Sequence, residues 1–177
     1  ACSYREEHLF LRFKDAAGKH PAIQAFTESA FRMLQGAHPL TLDSKNRVVL
    51  PAALRRELPE GELDKMELTT GRRAQWLQLW TRRTWKARVD EIYDKYDSDD
   101  EEAENFIRDL MASADEVDLD KQYRFVLPDN KKKQAGIVKD VVFIGMRDKI
   151  EIWAAEAYEV YRASREGKQE PPKPRGL

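Results

Sequence analysis

At 177 residues, 41% hydrophobic and 36% charged, the chain suits one compact domain or two small ones with a modest core. No run of about 18 apolar residues occurs, which argues against a membrane-spanning helix, and the charges inside ACSYREEHLFLRF argue against a secretory signal. Cys2, the single cysteine, has no partner for an intrachain disulfide and points to a reducing cytoplasm; the net charge of −1 gives no hint of a nucleic-acid partner.

Residues 1–32 lack a clean period. REEHLFLRFK (5–14) is compatible with a short helix broken by KHP at 19–21, and a second short helix fits 22–34. Met33 stands just before the first strong pattern. Residues 1–32 therefore read as an N-terminal extension, either a flexible appendage or sequence upstream of a start assigned too early. The alternative is an extra helix packed on the core.

PLTLDSKNRVVLP (39–51) follows, with β-prone runs at 38–42 and 47–51 joined through SKN. Asn46 can take positive φ at low cost, as a tight hairpin connection requires. Pro51 ends the second run, AALRREL (52–58) is helical in character, and PEGELD (59–64) turns the chain. KMELTT (65–70) and QWLQLW (75–80) predict two more strands. Alternation puts Trp76, Gln78 and Trp80 on one face of the latter, and Leu77 and Leu79 on the other.

Thr81 reads as the N-cap of a helix over 82–96, with Trp85, Val89, Ile92 and Tyr96 at helical spacing. Ser98 and Glu101 form a capping-box pattern opening a second helix, 99–113. Its acidic first turn suits the positive end of the helix dipole. Ala103, Phe106, Ile107, Leu110 and Met111 make its apolar stripe. Together they predict an antiparallel helical hairpin.

Then the chain repeats itself. EVDLDKQYRFVLP (116–128) restates 39–51 at a constant offset of 77 residues, so that Asp43, Arg47, Leu50 and Pro51 correspond to Asp120, Arg124, Leu127 and Pro128. NKKKQAG (130–136) stands where AALRREL stood, and DVVFIGM (140–146) and KIEIW (149–153) replace the later strands. Leu77, Leu79 and Trp80 match Ile150, Ile152 and Trp153. Residues 154–165 look helical, and GKQEPPKPRGL (167–177) has the composition of a disordered tail. The resulting plan has an extension (1–32), a first β unit (37–83), a helical connector (84–113), a second β unit (114–157) and a helix end with a tail (158–177). The fold class is α+β, mainly β.

Basic residues gather near both repeats: Lys45, Arg47, Arg55 and Arg56, then Lys121, Arg124, Lys131, Lys132 and Lys133. An Arg at a hairpin turn can contact phosphates or fork onto guanine O6/N7. It can equally be an internal salt bridge to the Asp four residues earlier, and both roles are compatible. Lys131, Lys132 and Lys133 either widen a phosphate footprint or form a solvated helix face. Arg72 and Arg73 read as plain surface, and the four Trp residues as core or interface anchors. His8, His20 and His38 lie away from paired carboxylates, the acidic run 97–104 is a solvated helix start, and no phosphate loop or nucleophile motif occurs. No enzymatic activity, metal or cofactor is expected.

A duplicated β unit with D-x-x-x-R in its first turn (LTLDSKNRVVLP and VDLDKQYRFVLP, with IEIW as an echo) and a helical pair between copies resembles the MraZ family of bacterial transcriptional regulators. The resemblance runs from about Met33 to about Tyr158. It implies two copies of an AbrB-type swapped-hairpin barrel per chain, with an intervening helical hairpin and a C-terminal helix. It also implies assembly into rings, a cytoplasmic, nucleoid-associated location, and repression of the division and cell-wall gene cluster through direct repeats upstream of the protein's own operon. Carried over by position, Asp43, Arg47, Asp120 and Arg124 are the motif residues, the arginines being the DNA contacts, with Lys45 and Lys121 beside them. The position before each Arg, commonly Gly in the family, is Asn46 in one copy and Tyr123 in the other. Tyr at positive φ is costly, so the second turn is expected to differ in shape or to aim Tyr123 at DNA, and Arg47 ranks ahead of Arg124. The alternative function is an antitoxin-type protein-interaction module on the same fold. Small barrels cannot bury both faces alone, so a homo-oligomer is expected in either case.

Overall fold

The computed structural model describes residues 33–71, 74–96 and 100–167. The expectations for residues 1–32, Arg72, Arg73, Ser98 and the tail beyond Gly167 lie outside these residues. Leu34 opens the compact unit treated below.

The elements run β1 (Ala37–Thr41), β2 (Arg47–Val49), α1 (Ala52–Arg56), a 3-10 turn (Glu60–Glu62), β3 (Lys65–Thr70), β4 (Leu77–Thr81), α2 (Arg82–Tyr93), α3 (Glu101–Ala112), β5 (Asp115–Asp118), β6 (Arg124–Val126), α4 (Asp129–Gln134), β7 (Asp140–Met146), β8 (Lys149–Ala154) and α5 (Ala155–Arg165). Six strands make one antiparallel sheet in the order β1-β7-β8-β4-β3-β5, while β2 and β6 pair only with each other. Each repeat keeps its own late hairpin, β3–β4 or β7–β8, and lends its first strand to the other repeat. Thus β1 pairs with β7, and β5 with β3.

The barrel implied by the resemblance is not closed. β1 and β5 are the edges of an open sheet, because β2 and β6 spend their ladder hydrogen bonds on one another. Pro39 fits this arrangement, since it sits on an edge strand where a missing N–H leaves no neighbour unpaired. The registers give the pseudo-two-fold directly. Val48 pairs with Phe125 and Gln78 with Glu151, each residue facing its own counterpart in the other repeat.

The core lies between the ribbon and the sheet. Val48 and Phe125 point inward from the ribbon to Leu68, Leu77, Leu79, Phe143, Ile150 and Ile152. Phe125 meets Phe143 edge-on, with ring centroids 6.3 Å apart. The alternation expected for β4 holds, and its second face is covered as well: Trp80 is buried against Trp85 of α2. Its counterpart Trp153 is covered by Tyr158 and Tyr161 of α5, with Trp76 stacked on it at 4.6 Å.

Thr81 caps α2 as expected, its Oγ accepting from the Thr84 N–H at 3.2 Å. The second helix starts later than the capping-box pattern suggested. Asp100, not Ser98, is its N-cap, accepting from the N–H groups of Glu102 and Ala103. Only part of the predicted stripe is buried: Ala103 and Ile107 are inside, whereas Phe106 and Met111 remain exposed.

Candidate nucleic-acid interface

Each D-x-x-x-R segment folds into the same turn, built around its aspartate. In the first, Asp43 Oδ1 accepts from the N–H groups of Lys45 (2.8 Å) and Arg47 (2.9 Å). Asp43 Oδ2 takes Nε and Nη2 of Arg47, both at 2.7 Å. In the second, Asp120 Oδ1 accepts from Gln122 (2.8 Å) and Arg124 (2.9 Å), and Oδ2 holds Arg124 Nε at 2.9 Å and Nη2 at 2.7 Å. The bland and the functional readings of the pair therefore coexist. One oxygen ties the backbone turn, as Asp side chains do in Asx-turns, and the other orients the guanidinium.

The grip leaves the arginines usable. Asp occupies the Nε edge, so the Nη1–Nη2 end of each fork, the end suited to guanine or phosphate, points away from it. Solvent still reaches both pairs, which makes them orienting devices more than sources of stability. The arginine side-chain hydrogen bond, then the arginine backbone N–H, holds Asp43 and Asp120 down to about 2 from the usual 3.8. A depressed carboxylate pKa stabilises the fold above its unfolded value and loses that contribution as pH falls. Both turns should thus be intact at any pH above 3.8 and loosen toward about 2. A carboxyl-carbon NMR titration should place both midpoints near 2; ordinary midpoints of 3.8 would show that the arginines are not held.

The ribbon brings the two arginines together. In the β2–β6 register Arg47 faces Val126 and Arg124 faces Val49. With Val48 and Phe125 inside, strand alternation sends Arg47, Val49, Arg124 and Val126 to the outer face, where Val49 is 40% and Val126 53% exposed. Two-residue steps and one strand spacing put the arginine Cα atoms about 8 Å apart on a diagonal. Lys45 and Lys121 are exposed at the turns.

The lysines of α4 divide. Lys131 is not a DNA contact: it is 3% exposed, and its ammonium donates to the Ser113 carbonyl and lies 3.7 Å from Asp115. The helical phase of α4 turns this position inward, where a repeat-based count of basic residues cannot see it. Lys131→Met should therefore keep DNA affinity and cost less than about 1.5 kcal/mol, because a buried ion pair gains little over apolar packing of similar volume. Denaturant unfolding checks this, and a cost of several kcal/mol would contradict it. Lys132 instead reaches the first turn and donates to Asn46 Oδ1, while Lys133 is exposed.

The second turn is not reshaped by its tyrosine. Asn46 and Tyr123 share φ of 58°. Left-handed backbone costs an L-residue about 1–2 kcal/mol, and packing offsets it here. Tyr123 lies against the core with the Arg55 guanidinium 4.0 Å from its ring centroid, rather than projecting as a base-stacking group. Sequence reasoning counted Arg55 among the basic residues but gave it no role. The signal was present in the offset that makes Arg55 the counterpart of Lys132. Among the described residues, no three His, Cys, Asp or Glu side chains gather as a metal site, and no helix is long and apolar enough to cross a membrane.

Two segments, 33–109 and 110–174, match the family described as "MraZ protein, putative antitoxin-like". The protein called Transcriptional regulator MraZ in Caldanaerobacter subterraneus subsp. tengcongensis is 37% identical over 132 residues, 75% of this chain and 88% of that protein. Its namesake in Clostridium tetani is 35% identical over 129 residues (73% and 87%), and that in Leuconostoc citreum 32% over 131 residues (74% and 87%). With both repeats matched and relatives covered over most of their length, the chain belongs to the MraZ family.

Proposed function

We propose that the chain is a DNA-binding transcriptional regulator that docks the outer face of its β2–β6 ribbon on double-stranded DNA. The observation that carries this is the pair of identically held arginine forks on one exposed two-stranded ribbon. A ribbon of two antiparallel strands is narrow enough for the major groove, where an arginine can fork onto guanine and an exposed valine can meet a thymine methyl. The relatives' shared name, Transcriptional regulator MraZ, supports the same reading. The family resemblance extends it to a repressor of the division and cell-wall gene cluster, acting on direct repeats upstream of its own operon.

Two forks discriminate poorly between sequences. A cyclic homo-oligomer that repeats them gains avidity on repeated sites when the spacing fits. Exposed apolar side chains on the helical hairpin, Tyr93, Tyr96, Phe106 and Met111, support contacts between copies. Lys45, Lys121 and Lys133 add phosphate contacts, and an MraZ ring of this kind would work at the nucleoid in the cytoplasm.

Titrating a labelled duplex from upstream of the protein's own gene, against an unrelated duplex of equal length and across a salt series, tests the reading. Preference for the upstream duplex with a steep salt dependence is expected. Equal, weak binding to both would overturn sequence-specific regulation. Light scattering at micromolar concentration should show an oligomer, and a monomer would exclude the ring.

A further inference from the structure

We propose that Arg55 and Lys132 are positioning residues for the DNA-facing turns, each a cation from the short helix of one repeat that clamps the turn of the other repeat. The inference rests on the reading of the ribbon as a DNA surface and concerns what aims its arginines.

The residue before each arginine is left-handed without being glycine: Asn46 and Tyr123, both with φ of 58°. Nothing intrinsic to asparagine or tyrosine enforces that conformation, and tyrosine resists it. Both residues are held from across the pseudo-two-fold. Arg55 of α1, in the first repeat, lies 4.0 Å from the ring centroid of Tyr123 in the second. Lys132 of α4, in the second repeat, donates to Asn46 Oδ1 in the first, and Asn46 Nδ2 donates to Asp129 Oδ1 of the same helix at 3.0 Å. The backbone repeats the exchange, because the Tyr123 carbonyl accepts from Leu50 N–H at 2.8 Å and the Asn46 carbonyl from Leu127 N–H at 2.9 Å.

The offset of 77 residues relates Arg55 to Lys132 and Asn46 to Tyr123, so this is one device made twice with different chemistry. A cation stacks on a ring in one copy, and a cation bonds an amide in the other. In each case the clamp fixes the ψ and φ immediately before the arginine, and so the direction in which its fork leaves the turn. Neither repeat completes its own turn. The aim of Arg124 depends on α1, and the aim of Arg47 on α4.

The rival role for Arg55 is a direct phosphate contact, and the two roles separate experimentally. A lost phosphate contact makes the salt dependence of binding shallower by about one unit, whereas lost positioning lowers affinity at unchanged slope. In the full-length protein, with the labelled upstream duplex, Arg55→Met should weaken binding about three- to tenfold, the range expected for one cation–π contact. In a Tyr123→Gly background, where the turn no longer needs clamping, Arg55→Met should add nothing. An equal loss in both backgrounds, or a shallower slope, overturns the proposal.

A readout without DNA protects the test from poor folding or a wrong duplex. The Nε–H signals of Arg47 and Arg124 report their bonds to the aspartates. Arg55→Met should broaden or shift the Arg124 signal and spare Arg47, and Lys132→Met should do the reverse. Absence of this crosswise pattern overturns the clamp. If Arg124→Ala and Arg47→Ala leave DNA binding intact while the crosswise pattern appears, the DNA reading has failed and the clamp has not.

Discussion

Arg47→Ala and Arg124→Ala should each reduce affinity for the upstream duplex by about 1–3 kcal/mol, roughly five- to 150-fold, while the protein stays folded. The affinity side follows from the fork geometry, since each guanidinium is held by its Nε edge and keeps its outer end for a base or a phosphate. The stability side follows from exposure. Each pair is about one-third exposed and spans only four residues, and such pairs contribute about 0–1 kcal/mol. Each Asp also keeps its two backbone N–H donors after the arginine is gone. Thermal melts should consequently move by no more than about 4 °C. The ranking of Arg47 above Arg124 rested on a misshapen second turn, and the shared φ removes that reason, so losses of similar size are expected. Unchanged affinity in both variants would sink the proposed interface.

Phe125→Ala should be the most damaging single change in the ribbon, costing about 3–5 kcal/mol. The ring is 1% exposed, packs edge-on against Phe143, and sits where the pseudo-two-fold passes through the ribbon. Against typical stabilities of about 5–15 kcal/mol this removes a large fraction of the total. A fall in melting temperature of roughly 10 °C is the corresponding readout. Val126→Ala, one residue along and on the outer face, should cost about 0.5 kcal/mol. Urea unfolding of the two variants side by side decides the matter: comparable costs would mean that the ribbon does not anchor through its inner face. DNA affinity should respond in the opposite sense, with Val126→Ala affecting binding more than its small stability cost suggests.

Much of the site was legible because it is local. An aspartate four residues before an arginine, with turn-forming residues between, carries its own hydrogen bonds, and two copies at one offset announce a pseudo-symmetric pair. Thr81 as a cap and the buried face of β4 were legible for the same reason: each depends on neighbours within a few residues. The rest depended on partners far along the chain. Lys131 belongs to a basic run by composition, yet its helical phase points it at Ser113 and Asp115. Tyr123 looked too costly for the turn because the Arg55 that steadies it lies 68 residues earlier.

By itself the sequence determined the number of units, the two Asp–Arg turns and the order of strands and helices, since these follow from repetition, turn chemistry and hydrophobic period. Only the tertiary structure decided which repeat completes which turn. Strand exchange places β1 on β7 and β5 on β3, and the β2–β6 ladder then sets both arginines on one face and each short helix beside the other repeat's turn. Such choices turn on pairing energies between segments separated by dozens of residues. A local pattern is equally compatible with pairing inside a repeat or across repeats, and only the packed core selects between them.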